Sequence, residues 1–254
     1  MSEAINPSKV ESRLPALDKT FNLLIGILIY SSPFYFFSSV TADMDLWGHI
    51  KFGKDMLGKM AFQRADIYSY TAFGSEWVNH EWLSELLAVL VSYQAAFAGY
   101  KYVKAEWNII VDPSKYPVSA VGFLKQNGIK GKILVPLEWG EYAIWKLYPD
   151  CRVSIDGRFR TVYPESVLSD HFQAARDQAK LKDRLNKYPP DIILGRQNKL
   201  YQQLISRGAR YIYVYSGPTS IVFLKDVDSQ RDILNKFRRE KLINPKGEAS
   251  TYFP

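Results

Sequence analysis

Asp43 and Asp45 stand one residue apart in the run Asp43-Met44-Asp45-Leu46-Trp47-Gly48-His49. That spacing lets two carboxyls approach one acceptor hydroxyl as a general base, or one divalent cation held between them and phosphate oxygens. The same two acids would also simply end an apolar segment and face water. A second cluster, Trp77-Val78-Asn79-His80-Glu81-Trp82-Leu83, brackets a His-Glu pair with indoles. His49 and His80 can hydrogen-bond a carboxylate or a phosphate, and each can equally serve as a structural hydrogen-bonder. Indole rings suit sugar stacking and interfacial anchoring alike.

The third cluster is Ser154-Ile155-Asp156-Gly157-Arg158-Phe159-Arg160, preceded by Glu138-Trp139-Gly140-Glu141-Tyr142. Arg158 there is a candidate phosphate contact, because a guanidinium fork binds phosphate through two parallel hydrogen bonds. A turn closed by an internal Asp-Arg pair accounts for the same residues without a ligand. No P-loop, dinucleotide fingerprint or G-x-S-x-G elbow is present. One cysteine, Cys151, excludes an intrachain disulfide, and three scattered histidines give no zinc spacing.

The elements that must position these residues begin with an uncharged stretch, Thr20 to Ala42. About 20 apolar residues of helix cross a bilayer, so Phe21 to Val40 reads as a transmembrane helix, kinked at Pro33. A cleaved signal ending at Val40-Thr41-Ala42 is the competing reading, opposed by the bulky run Phe34-Tyr35-Phe36-Phe37. The apolar run Leu86 to Tyr100 is shorter; Trp82 and Tyr100-Lys101-Tyr102 flank it as interface anchors, so it reads as a second span or an interfacial helix.

From Ala105 the texture is that of short strands alternating with helices. Strands are expected at Lys132 to Val135, Arg152 to Ile155 and Asp191 to Leu194. Tyr211 to Tyr215 and Ile221 to Leu224 flank a hairpin turn. Helices are expected at Glu141 to Leu147, Ser166 to Asn186, Gln197 to Ser206 and Asp232 to Glu240. The expected organisation is a tail over 1–18, a transmembrane helix over 19–42, an extramembrane loop over 43–80, an apolar helix over 81–104 and a soluble domain over 105–254. In fold class this is a membrane α-helical N-terminal part of one or two spans plus a C-terminal α/β domain with a mixed sheet.

Charge is unevenly placed. Residues 1–104 hold 9 Lys/Arg against 10 Asp/Glu, and residues 105–254 hold 24 against 16. The basic second part suits anionic head groups or phosphates, and no helix-turn-helix, zinc-finger or RNP-like pattern supports nucleic-acid binding.

Taken in order, Asp43 to His49, Asp66-Ile67-Tyr68-Ser69-Tyr70-Thr71 and Trp77 to Leu83 resemble the first extracytoplasmic loop of a bacterial family within the C-type glycosyltransferase superfamily. Gly131 to Arg160 resembles the soluble C-terminal domain of that family. The resemblance implies an integral protein of the bacterial inner membrane that moves a sugar from a polyprenyl-phosphate carrier to an extracytoplasmic acceptor. It implies catalytic roles for Asp43, Asp45, His80 and Glu81, and substrate contacts from Trp47, His49, Trp77 and Arg158. A divalent metal at Asp43 and Asp45 is the only cofactor in view, and membrane lipid and other membrane proteins are the expected partners. The chain departs from the family near residue 104, where many further spans are missing and with them the lipid-carrier groove. A different class of function is therefore also open, a non-catalytic membrane-anchored binding or scaffold protein with a basic α/β domain. A third reading is a secreted α/β protein cleaved at Ala42.

Overall fold

The computed structural model describes residues 21–23, 25–27, 43–98, 101, 111–197 and 210–240. The chain divides into two units, Met1–Val40 and Thr41–Pro254. In the first, residues 21–23 and 25–27 are helical; the rest of the expected first span, including Pro33, lies outside the described residues.

The second unit begins with helix α1 (Leu46–Lys59), α2 (Trp82–Ala98) and α3 (Val118–Gln126). Strand β1 (Gly131–Leu134), α4 (Gly140–Leu147) and β2 (Cys151–Val153) follow. Then come α5 (Glu165–Ala174), α6 (Gln178–Lys187), β3 (Ile192–Arg196), β4 (Tyr211–Ser216), β5 (Ser220–Lys225) and α7 (Arg231–Glu240). The strands form one mixed sheet in the order β2-β1-β3-β5-β4. β2, β1 and β3 are parallel, joined through helices as parallel pairing requires; β5 runs antiparallel to β3 and to its hairpin partner β4.

Side chains along a strand point alternately to opposite faces, and the apolar sequence of the central strands uses both. Ile133, Ile192, Leu194, Val222 and Leu224 enter the larger core, with Trp47, Tyr68, Phe123, Trp139 and Tyr142. Leu134, Ile193, Ile221 and Phe223 enter a second core with Ala174, Leu181 and Leu185 of α5 and α6. The sheet is thus covered on both faces. The helix expected over Ser166 to Asn186 is two helices, because Asp177 leaves the helical conformation and caps α6, its carboxylate accepting from the Ala179 amide at 2.8 Å. Gln197 is not helical, and 198–206 of the helix expected there lies outside the described residues.

The stretch expected to be a separate loop is built into this unit. Its Tyr68 to Tyr70 segment lies alongside β2 as a short parallel edge: the Val153 amide donates to the Tyr68 carbonyl and the Tyr70 amide to the Val153 carbonyl, each at 3.0 Å. Ser69 bridges Val153 in the same register. An otherwise unpaired sheet edge is thereby satisfied.

Among the described residues no helix is long and apolar enough to cross a membrane. The apolar helix expected over 81–104, as a span or an interfacial helix, is α2 over Trp82–Ala98 among the described residues, and one face of it packs on α1, where Gly53 meets the Glu85 backbone. It also carries a buried carboxyl, Glu85, 2 % exposed. Among the described residues this overturns the expected membrane α-helical N-terminal part, and with it the integral cell-membrane location and the transmembrane glycosyltransferase description that rested on it.

Candidate functional site

Three sequence clusters far apart in the chain meet at one place. Arg158, in the turn after β2, is 6 % exposed. Its Nε and Nη2 each donate to the Asp156 carboxylate at 2.8 Å, and Nη2 lies 2.7 Å from Asp66 Oδ1. Asp156 Oδ2 also accepts from the Tyr163 hydroxyl at 2.5 Å. Asp66 in turn accepts from the Ser69 hydroxyl at 2.5 Å and from the Tyr68 amide at 3.1 Å. Both carboxylates are fully buried. The guanidinium Nη1 has no hydrogen-bond acceptor, but the group is caged by aromatic faces, its carbon 4.7 Å from the Trp77 ring centroid, 5.0 Å from Phe52 and 5.1 Å from Tyr68. Burial opposes the charge on Arg158, and Asp156, Tyr163 and Asp66 together more than offset it, holding the group well above its ordinary pKa.

Arg158 is therefore enclosed by its own chain; its fork is taken by two carboxylates rather than presented to a ligand phosphate. Trp47 and Trp77 are likewise core residues. Trp47 is fully buried, stacked on Trp145 at 4.4 Å with Tyr116 and Tyr142 edge-on. Trp77 is 5 % exposed and packs edge-on against Phe52. These three expected substrate contacts fix the fold around the site instead.

What remains open to solvent is an acidic rim. Asp45 occupies the N-cap position of α1 without a side-chain capping bond. The residue is exposed, yet one side of its carboxyl rests against Gly157. A β-carbon built at Gly157 would fall 2.7 Å from Asp45 Oδ1 and 2.6 Å from Glu141 Oε1. Both carboxyls thus flank one point above a residue with no side chain. Glu141 is 6 % exposed, and its Oε2 accepts from the Gly48 amide in the first turn of α1 at 3.1 Å. Burial, then Asp156 and Asp45, push Glu141 well above the usual carboxylate range. Burial and then the neighbouring Asp43 carboxylate push Asp45 upward as well. Asp43 itself is exposed, its Oδ1 accepting from the Met44 amide at 2.6 Å. His49 is half-buried one turn into α1 and draws the Asp45 pKa down.

His80 and Glu81 lie on the exposed turn before α2, their side chains 64 % and 54 % exposed and 3.9 Å apart. Glu81 adds to the field that raises Asp45. No three His, Cys, Asp or Glu side chains among the described residues group as a metal site, so Asp43 and Asp45 do not meet a third ligand there.

Asp156 reads from the sequence as the partner of Arg158 in a closed turn, and their 2.8 Å bonds have that form; Asp66, Glu141 and Tyr163 carry no individual role in the sequence. The legible signal for Asp66 was the Asp-Gly-Arg turn itself, since a buried arginine requires acidic partners. Nothing local marks Glu141 as the neighbour of Asp45. Chemically, the rim sets side by side two carboxyls whose proton affinities burial raises, Glu141 well above the usual range and Asp45 upward as well, an arrangement fitted to acid-base work at a hydroxyl. No protein-family profile, curated protein or solved structure matches this chain.

Proposed function

We propose that the chain uses Asp45 as general base toward an acceptor hydroxyl in transfer of a sugar from a phosphate-linked carrier, with Glu141 as the group that positions it and tunes its charge. The reading rests on the resemblance of the Asp43 to His49, Trp77 to Leu83 and Gly131 to Arg160 runs, and on one geometric observation. Asp45 and Glu141, about a hundred positions apart in the sequence, converge over Gly157 while Asp45 keeps a face to solvent. In this scheme the hydroxyl oxygen attacks the anomeric carbon, its proton passes to Asp45, and the carrier phosphate leaves with the bonding electrons. Burial, then the Asp43 charge, raise the Asp45 proton affinity in the direction that transfer needs, with a smaller push from Glu81, and His49 tempers it.

The test is turnover of a polyprenyl-phosphate-linked sugar with a hydroxyl acceptor in detergent micelles, using the full chain. Asp45→Asn is expected to lower kcat by about 10²-fold or more. Activity of the parent should fall as pH drops through the raised Asp45 pKa, since the base must be ionised. Turnover that is unchanged in Asp45→Asn refutes the assignment.

A second reading is favoured by the enclosure of Arg158. With its guanidinium taken by Asp66 and Asp156, that residue gives a donor phosphate no fork, as befits a module that binds a glycan without processing it. Saturable binding of the same sugar substrate without turnover by the parent chain, and with Asp45→Asn binding unchanged, is the outcome that selects it.

A further inference from the structure

The parallel strands create a ligand position that the acidic rim does not use. From β1 the chain passes to β2 on one side, then returns past β1 to β3 on the other, giving the order β2-β1-β3. Open parallel sheets hold ligands beyond the carboxyl ends of their strands, at the point where the strand order reverses. Here that point lies between β1 and β3. Two charged side chains meet across it, Glu138 from the turn after β1 and Arg196 from the end of β3. The pair uses only part of the guanidinium. Nε and Nη2 both donate to Glu138 Oε1, at 3.0 and 2.6 Å, which occupies the side edge of the fork. Its end edge, Nη1 with the second Nη2 hydrogen, has no acceptor among the described residues, and the side chain is 50 % exposed. The plane is also held in place, its carbon 4.9 Å from the Trp139 ring centroid. That indole is fully buried, and its Nε1 donates to the Lys115 carbonyl at 2.8 Å.

We propose that Arg196 is the phosphate-binding residue of this chain, its open Nη1–Nη2 edge taking two oxygens of a phosphoryl group at the carboxyl end of β3. The assignment rests on the transfer reading above, in which the leaving group is a carrier phosphate, and it supplies the fork that the enclosed Arg158 does not. The path of the chain connects it to the rim. Gly140 follows Trp139, and a β-carbon built there would fall 2.6 Å from the Asp156 α-carbon; Glu141 then reaches Gly157 beside Asp45. The segment from Glu138 to Glu141 thus runs from the arginine to the acidic rim, and β3 and β2 lie two strand spacings, about 10 Å, apart. A phosphate at Arg196 and a hydroxyl at Asp45 stand at opposite ends of that span. Departure and attack on opposite faces of one sugar ring require such an arrangement.

Dimethylallyl phosphate, a short water-soluble isoprenyl ester, is titrated into the full chain by isothermal calorimetry, with inorganic phosphate as a second arm. Saturable binding by the parent is expected, weakened at least about tenfold in Arg196→Gln, because a charge-assisted bidentate contact is lost. Glu138→Gln removes a negative charge from the occupied edge and should bind the ester at least as tightly as the parent. Tighter binding of the ester than of inorganic phosphate identifies a carrier as the source; equal affinities identify free phosphate at the same site. A parent chain that binds neither probe overturns the proposal, as does binding unchanged in Arg196→Gln. So does an equal loss in Glu138→Gln and Arg196→Gln, which marks a surface pair that only shapes the fold. Failure of the transfer reading is separate. Probe binding through Arg196 without Asp45-dependent turnover keeps this site and removes that reading; Asp45-dependent turnover with binding indifferent to Arg196 does the reverse.

Discussion

Replacing Arg158 by Met is the most informative single change, because it removes one charge from a network in which every member is buried. Arg158 is 6 % exposed, and Asp66 and Asp156 have no exposure at all. Methionine restores most of the aliphatic packing but leaves two carboxylates whose counter-ion, at 2.7 and 2.8 Å, has gone. Breaking a buried pair from one side costs about 3–5 kcal/mol, chiefly the penalty of stranding the remaining charge. Loss of the cation over the Trp77, Phe52 and Tyr68 rings adds to this. Against a total stability of roughly 5–15 kcal/mol the change is severe. Arg158→Lys keeps the charge without the planar fork, and an intermediate loss of about 1–3 kcal/mol is expected. The assay is urea unfolding followed by tryptophan fluorescence. All six tryptophans lie in the Thr41–Pro254 unit, so the signal reports that unit. Adding Asp66→Asn to Arg158→Met should recover part of the loss, a coupling that independent sites would not show. A loss under about 1 kcal/mol for Arg158→Met, or strict additivity with Asp66→Asn, would refute the argument that this network joins the 43–79 segment to the sheet.

Two further outcomes follow from the packing. Burial pushes Glu85 from an ordinary 4.5 up to about 7; the folded state holds that proton more tightly, so stability is greatest below pH 4.5 and falls as pH rises toward 7. Unfolding at a series of pH values should show a decline of roughly 2 kcal/mol across that window, after allowance for solvent screening. Glu85→Gln should remove it, and an identical decline in the variant would assign it elsewhere. At Gly140 a β-carbon would lie 2.2 Å from the Ile155 carbonyl oxygen, whereas at Gly58 it would meet nothing within 4 Å. Gly140→Ala should therefore lower the urea midpoint by about 1–3 kcal/mol equivalent, and Gly58→Ala, inside α1, should raise stability by about 0.5–1 kcal/mol. Equal effects of the two would contradict the close approach at Gly140.

Sequence pattern located every strand of the sheet to within about two residues, because each is a short β-branched or aromatic run bounded by Gly, Pro, Asp or Ser. The hairpin of Tyr211–Ser216 and Ser220–Lys225 was legible for the same reason. Helix periodicity placed α4 and α7 equally well. The break at Asp177 was not read, since an N-cap inside a helix-favouring run depends on where the following helix can pack. The apolar run Leu86 to Tyr100 reads, from its flanking aromatic and basic anchors, as a second span or an interfacial helix. In the folded chain Glu85 and Val89 turn one side of it toward α1, a contact that neither apolar content nor flanking anchors encode.

The sequence by itself determined the alternation of strands and helices, the mixed sheet, and the residue types that do chemistry, because these follow from local periodicity and turn preference. Tertiary structure alone decided which of them meet. Asp45 faces Glu141 over Gly157, while Arg158 is withdrawn into a cage of Asp66, Asp156 and three rings. A carboxyl's proton affinity and an arginine's availability are set by burial and neighbouring charge, and those depend on contacts between residues about a hundred positions apart.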